Sequence, residues 1–129
     1  MSASHYKLDN LTVILDYNKV QAKAYTYEEI GIEPIVERWR AFGWQTIEID
    51  GHDMNEIVQA LYKARWINRI GRPTIIISHT VKGRGVDFME FNPKWHTHAP
   101  TGKKAEETLE KLAARYNKPY RKEELESWK

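Results

Sequence analysis

The 129-residue sequence contains no cysteine. That absence excludes disulfides, thiolate metal ligands and a cysteine nucleophile, and it agrees with a reducing compartment. Long apolar runs are missing as well: no window approaches the roughly 20 residues that cross a bilayer. The start, Met1-Ser2-Ala3-Ser4-His5, has no basic stretch leading into an apolar one. A soluble, cytoplasmic protein without membrane partners is the expectation. Charge of one sign is not in excess either, since 20 basic residues oppose 18 acidic ones for a formal charge of +2. No stripe suited to a polyanion stands out, and nucleic acid is not an expected partner. There is no internal repeat.

What is present is enough for one folded unit. An apolar fraction of 41% supports a modest core, and residues 1–129 are read as a single domain. Leu11-Thr12-Val13-Ile14-Leu15 is a continuous apolar run ending in Asp16, the pattern of a strand covered on both faces. Residues 21–31 read as a long loop. Glu33-Pro34 then opens a helix with proline at its first position, Ile35, Trp39 and Phe42 share one face, and Gly43 closes it. A second strand, Thr46-Ile47-Glu48-Ile49, precedes the loop Asp50-Gly51-His52-Asp53. There Asp53 can cap the next helix, with Glu56 completing a capping box. That helix carries Ile57, Leu61, Ala64 and Ile67 on one face and ends at Gly71, and Thr74-Ile75-Ile76-Ile77-Ser78 is the third strand. Strands alternating with helices predict an α/β fold, a parallel sheet with flanking helices and right-handed crossovers. In such folds ligands gather outside the carboxyl ends of the strands. A long loop over residues 83–102 and a helical segment over 103–129 complete the chain.

Three segments at or beyond those strand ends carry candidate chemistry. In Asp16-Tyr17-Asn18-Lys19-Val20 a side-chain oxygen and a backbone carbonyl can face one ligand, and hard Mg²⁺ or Ca²⁺ accepts such oxygens. The same residues serve equally as turn formers. His79-Thr80-Val81-Lys82-Gly83-Arg84-Gly85 joins glycines to two cations, which suits close approach to an anion or a plain solvated turn. His79 itself fits a structural, hydrogen-bonded role as well. In Asn92-Pro93-Lys94-Trp95-His96-Thr97-His98-Ala99-Pro100, prolines flank two histidines able to meet a phosphate or oxyanion. A transition-metal site on that pair lacks an evident third ligand.

In order along the chain, these segments resemble the transketolases. Asp16-Tyr17-Asn18-Lys19-Val20-Gln21, Glu33-Pro34 through Trp39-Arg40-Ala41-Phe42-Gly43-Trp44, and Ile49-Asp50-Gly51-His52-Asp53 are similar to the N-terminal part of that family. His79 to Val86, Phe88-Met89-Glu90 and Asn92 to His96 resemble the type split into N- and C-terminal subunits. Together the matches cover most of residues 8 to 115. The resemblance implies thiamine diphosphate held through Mg²⁺, with Ca²⁺ as a substitute, and transfer of a two-carbon ketol unit between sugar phosphates. It makes Asn18 a side-chain metal ligand that also touches the diphosphate, and Val20 a ligand through its carbonyl. It makes His96 the catalytic histidine that contacts diphosphate and donor sugar. His98 has no match.

Two departures accompany it. The family's Gly-Asp-Gly motif, whose aspartate is the metal's carboxylate ligand, does not occur in the sequence, nor does the pyrimidine-binding domain. Ala22-Lys23-Ala24-Tyr25-Thr26-Tyr27 stands where the family commonly has a small-residue turn with Asp-Gly. The resemblance therefore implies an oligomer in which complementary transketolase polypeptides bring the Gly-Asp-Gly and pyrimidine-binding parts, the chain alone being inactive. Both a truncated chain and a natural split subunit fit. The alternatives are a relative of deoxyxylulose-phosphate synthase, or a scaffold module that kept the fold without catalysis.

Overall fold

The computed structural model describes residues 1–67 and 70–118. Three strands, β1 (Thr12–Tyr17), β2 (Gln45–Asp50) and β3 (Thr74–His79), form a parallel sheet in the order β1-β3-β2. The register pairs Thr12 and Gln45 with Thr74 at one end, and Tyr17 and Asp50 with His79 at the other. The third apolar run is thus the central strand. Its Ile75, Ile76 and Ile77 are at most 1% exposed, because a central strand covered on both faces has no side left for water.

Side chains alternate across the sheet. On one face Tyr17, Ile75 and Ile77 pack with Val36 of α3 (Ile35–Ala41) and with Trp44. On the other, Ile49 and Ile76 meet Ala60 of α4 (Met54–Tyr62) and Ala64 of the π-helical turn Lys63–Ile67. Two expected core residues lie elsewhere. Phe42 follows the last helical residue of α3 and is 48% exposed, and its place inside is taken by Val36. Leu61 is 42% exposed while Ala60 faces the sheet, since the face one turn on from Ile57 passes through Ala60 and Ala64. The side chain of Ile67 lies outside the described residues.

Helix ends largely follow their local chemistry. Asp53 accepts hydrogen bonds from the Asn55 and Glu56 amides, at 2.8 and 3.4 Å, and so caps α4. Glu56 returns a carboxylate oxygen to the Asp50 amide at 2.7 Å, three residues earlier than a regular capping box would place it. Gly43 follows α3 at φ +82°, a conformation that favours glycine. Pro34 sits at the N-cap of α3 with extended backbone, one residue earlier than expected. The expected loop 21–31 contains a short helix, α2 (Thr26–Glu29), where the Glu28 carboxylate accepts the Tyr25 amide proton. A short helix, α1 (Ser2–His5), precedes β1 and packs Ala3 against the core. After β3, a 3₁₀ turn (Pro93–Trp95) interrupts the long loop, and α5 (Gly102–Tyr116) completes the described fold. The expected helical segment beyond residue 118 lies outside the described residues.

Candidate functional site at the strand ends

The carboxyl ends of all three strands open on one cleft of about 740 Å³, lined by Asn18 and Val20 after β1, His52 after β2, and His79, Thr80 and Arg84 at and after the end of β3. Parallel strands paired in register end together, so the segments that leave them converge.

Asn18 is held at both ends of its amide. Its Oδ1 accepts the Val20 amide proton at 3.0 Å, and its Nδ2 donates to Asp16 Oδ2 at 3.1 Å. This is an Asx turn, and it fixes which amide atom is oxygen. An aspartate here would put a second carboxylate against that of Asp16. Val20 is 6% exposed and forms an antiparallel bridge with Tyr25. The flanking hydrogen bonds run from Gln21 to Ala24 and from Thr26 to Lys19, leaving the Val20 carbonyl outside them. Turn former and candidate ligand are therefore the same residue: one lone pair of Oδ1 holds the turn and the other is available.

The donors suit a hard cation only in part. Asn18 and Val20 offer neutral oxygens, which Mg²⁺ and Ca²⁺ accept, but such ions also need anionic ligands. Among the described residues no group of three or more His, Asp or Glu side chains could hold a metal. Asp16 is committed to Asn18 and to the Thr80 hydroxyl, which donates to its Oδ1. Glu48, Asp50 and Glu56 also line the cleft, each with one carboxylate oxygen engaged, by His79, the His52 amide and the Asp50 amide respectively.

Two contacts in the cleft have no counterpart in the sequence pattern. His79 Nε2 lies 3.1 Å from Glu48 Oε2, and its ring meets the Tyr17 ring edge-on with centroids 5.3 Å apart. His52 Nε2 accepts the Val81 amide proton at 2.8 Å. Strand alternation puts Glu48, Asp50 and His79 on the face of Tyr17, and that was the available signal for the first contact. The His52 contact joins segments 29 residues apart and left no local trace.

His96 stands apart from this cleft. It comes directly after the 3₁₀ turn, where Asn92 Oδ1 accepts the Lys94 amide proton at 3.1 Å and Phe88 packs edge-on against Trp95, and its Nδ1 is buried without a hydrogen bond among the described residues. A neighbouring cavity of about 750 Å³ is lined by Phe88, Trp95, His98 and Lys104, and not by His96. Lys104 Nζ lies 4.0 Å from the Phe88 ring centre. His98 Nδ1 is turned inward to the Lys94 carbonyl at 3.0 Å. Thus Asn18 and Val20 share one site, while His96 offers an unpartnered polar atom elsewhere.

Comparison with known proteins places the chain in a family. Residues 1–124 match the family described as transketolase, thiamine diphosphate binding domain. An apulose-4-phosphate transketolase subunit of Phocaeicola vulgatus is 38% identical over 118 residues, which is 92% of this chain and 41% of that protein. The 6-deoxy-6-sulfo-D-fructose transketolase subunit SqwG of a Clostridium species is 43% identical over 90 residues, 70% of this chain and 32% of that protein. The chain thus spans about two fifths, or less, of these relatives' length. The transketolase of Campylobacter jejuni superposes with a TM-score of 0.78 at 30% identity, covering 91% of this chain and 17% of that one. No helix among the described residues is long and apolar enough to cross a membrane. By the span of this match, the chain belongs to the transketolase family and corresponds to its thiamine diphosphate-binding domain.

Proposed function

We propose that this chain, acting as one partial diphosphate-binding domain, supplies part of a cytoplasmic transketolase that moves a two-carbon ketol unit between sugar phosphates. The observation that carries the reading is the convergence of Asn18 and Val20 on the strand-end cleft beside Arg84. In this role the Asn18 amide oxygen and the Val20 carbonyl hold Mg²⁺, or Ca²⁺ in its place, and Arg84 adds positive charge facing the diphosphate. Bound thiamine diphosphate would supply the carbon nucleophile and the electron sink that side chains lack. His96 is the catalytic histidine of the reading, donating a hydrogen bond to diphosphate or sugar oxygens. Relatives named for apulose-4-phosphate and for 6-deoxy-6-sulfo-D-fructose point to sugars bearing an anionic group.

Complementary polypeptides are part of the proposal, because among the described residues no cluster of carboxylates or histidines is able to complete a metal site at Asn18. They bring the Gly-Asp-Gly aspartate and the pyrimidine-binding part. On its outer side β1 has no strand neighbour among the described residues, and Ile14 on that strand is 58% exposed, which gives a partner strand a place to add. The test is to mix the chain with such polypeptides, Mg²⁺ and thiamine diphosphate and to follow ketol transfer. Turnover should require every component. Stable complexes with bound cofactor and no transfer would refute the enzymatic reading in favour of a scaffold.

A further inference from the structure

We propose that His52 is a positioning residue: as a neutral imidazole with its proton on Nδ1, it tethers the loop after β3 at the edge of the strand-end cleft. The Val81 amide can only donate, and it points at His52 Nε2 across 2.8 Å. The nitrogen it meets must present a lone pair, which leaves Nδ1 as the protonated atom.

The tether is placed where the ladder runs out. β3 ends at His79, and the next amide, Thr80, reaches the Tyr17 carbonyl only at 3.5 Å. Val81 has no strand partner among the described residues, and its amide, at a half-buried position on the cleft rim, is free to take an acceptor from another segment. His52 supplies the acceptor from a turn that is itself fixed. The Gly51 amide donates to the His79 carbonyl at 2.8 Å and the His52 amide to Asp50 Oδ1 at 2.8 Å. A Cβ on Gly51 would come within 2.2 Å of Ser78 Oγ, so only glycine lets the β2–α4 turn lie this close to β3.

Val81 in turn anchors the glycine-bearing turn after it. Its carbonyl accepts the Arg84 amide proton at 3.2 Å, and Arg84 lines the cleft. The position of the cleft's arginine is therefore inherited, through Val81 and His52, from the turn after β2. The consequence for the cofactor's diphosphate rests on the function proposed above; the tether itself does not.

Nitrogen NMR of the full chain should show His52 Nδ1 protonated and Nε2 not. Amide exchange at Val81 should quicken roughly threefold to tenfold in His52→Ala, the range one ordinary hydrogen bond allows. His52→Gln, whose Oε1 reaches about as far as Nε2, should restore the slower rate. A protonated Nε2, or equal Val81 exchange in all three proteins, overturns the inference. In the assembled enzyme, His52→Ala should raise the KM for thiamine diphosphate with kcat retained, and His52→Gln should reverse it. Faster exchange with an unchanged KM upholds the tether and counts against the diphosphate reading of the cleft.

Discussion

At the carboxyl ends of the strands, local turns such as Asn18 to Val20 are joined by hydrogen bonds that cross long stretches of sequence: Thr80 to Asp16, Val81 to His52 and the Gly51 amide to His79. Between Gly85 and His98 they close over at most five residues, as in Gly85 to Glu90, Asn92 to Phe88, Lys94 to Asn92 and His98 to Lys94. Among the described residues one tie from afar, the Tyr25 hydroxyl to the Phe91 carbonyl, reaches this second region. The cleft is thus a product of strand register, whereas the loop carrying His96 is organised by its own Asx and 3₁₀ turns. Two parts of one proposed active site therefore depend on different contacts, joined through Tyr25 and Phe91, and should respond unequally to substitution.

The strongest way to separate them is at the centre of the sheet. Ile76→Ala should cost about 2–5 kcal/mol in a denaturant titration, since a buried isoleucine leaves a cavity. In native exchange it should loosen Thr80 and Val81 more than Met89 and Asn92; equal loosening would break the distinction. Gly51→Ala comes next. The forced contact with Ser78 and Thr80 should cost about 1–3 kcal/mol and confine amide shifts to the β2–α4 turn and residues 78–81. Asn18→Ala removes two partly exposed hydrogen bonds and should cost about 1 kcal/mol, while raising the Mg²⁺ and cofactor concentrations the assembled enzyme needs. Unchanged cofactor binding would remove Asn18 from the metal site. The smallest effect on folding belongs to His96→Ala, about 0.5–1 kcal/mol, because a half-buried imidazole loses some packing while its Nδ1 has no hydrogen bond to lose among the described residues. Turnover of the assembled enzyme should nevertheless fall on the order of a hundredfold.

The same contrast decides what could be read from the sequence. The apolar runs ending at Asp16, Ile49 and Ser78 announced parallel strands, because burial on both faces writes itself into consecutive residues. Asp53 announced its helix for an equally local reason. The placing of β3 between β1 and β2 had no such mark, since strand order depends on which faces the helices cover. Val36 and Ala60 were missed as core residues because α3 and α4 are short, and one or two apolar positions leave the buried face ambiguous. At the site, the turn at Asn18 and its place in the strand-end cleft were legible from its position after a strand. Arg84 was legible in the glycine-and-cation run after β3, and strand alternation put Glu48 on the face of Tyr17; the His52 contact with Val81 arose from tertiary register, which periodicity does not report.

The open side of β1 bears on how the protein has to be handled. A strand bonded on one side only among the described residues, with Ile14 58% exposed, offers the same unpaired backbone to a second copy as to the proposed partner. Produced by itself at high concentration, the chain should drift into aggregates seeded at this edge. If the proposed partner adds a strand here, co-production with it should raise the yield of dispersed protein, so that yield reports on recognition before any catalytic assay is run.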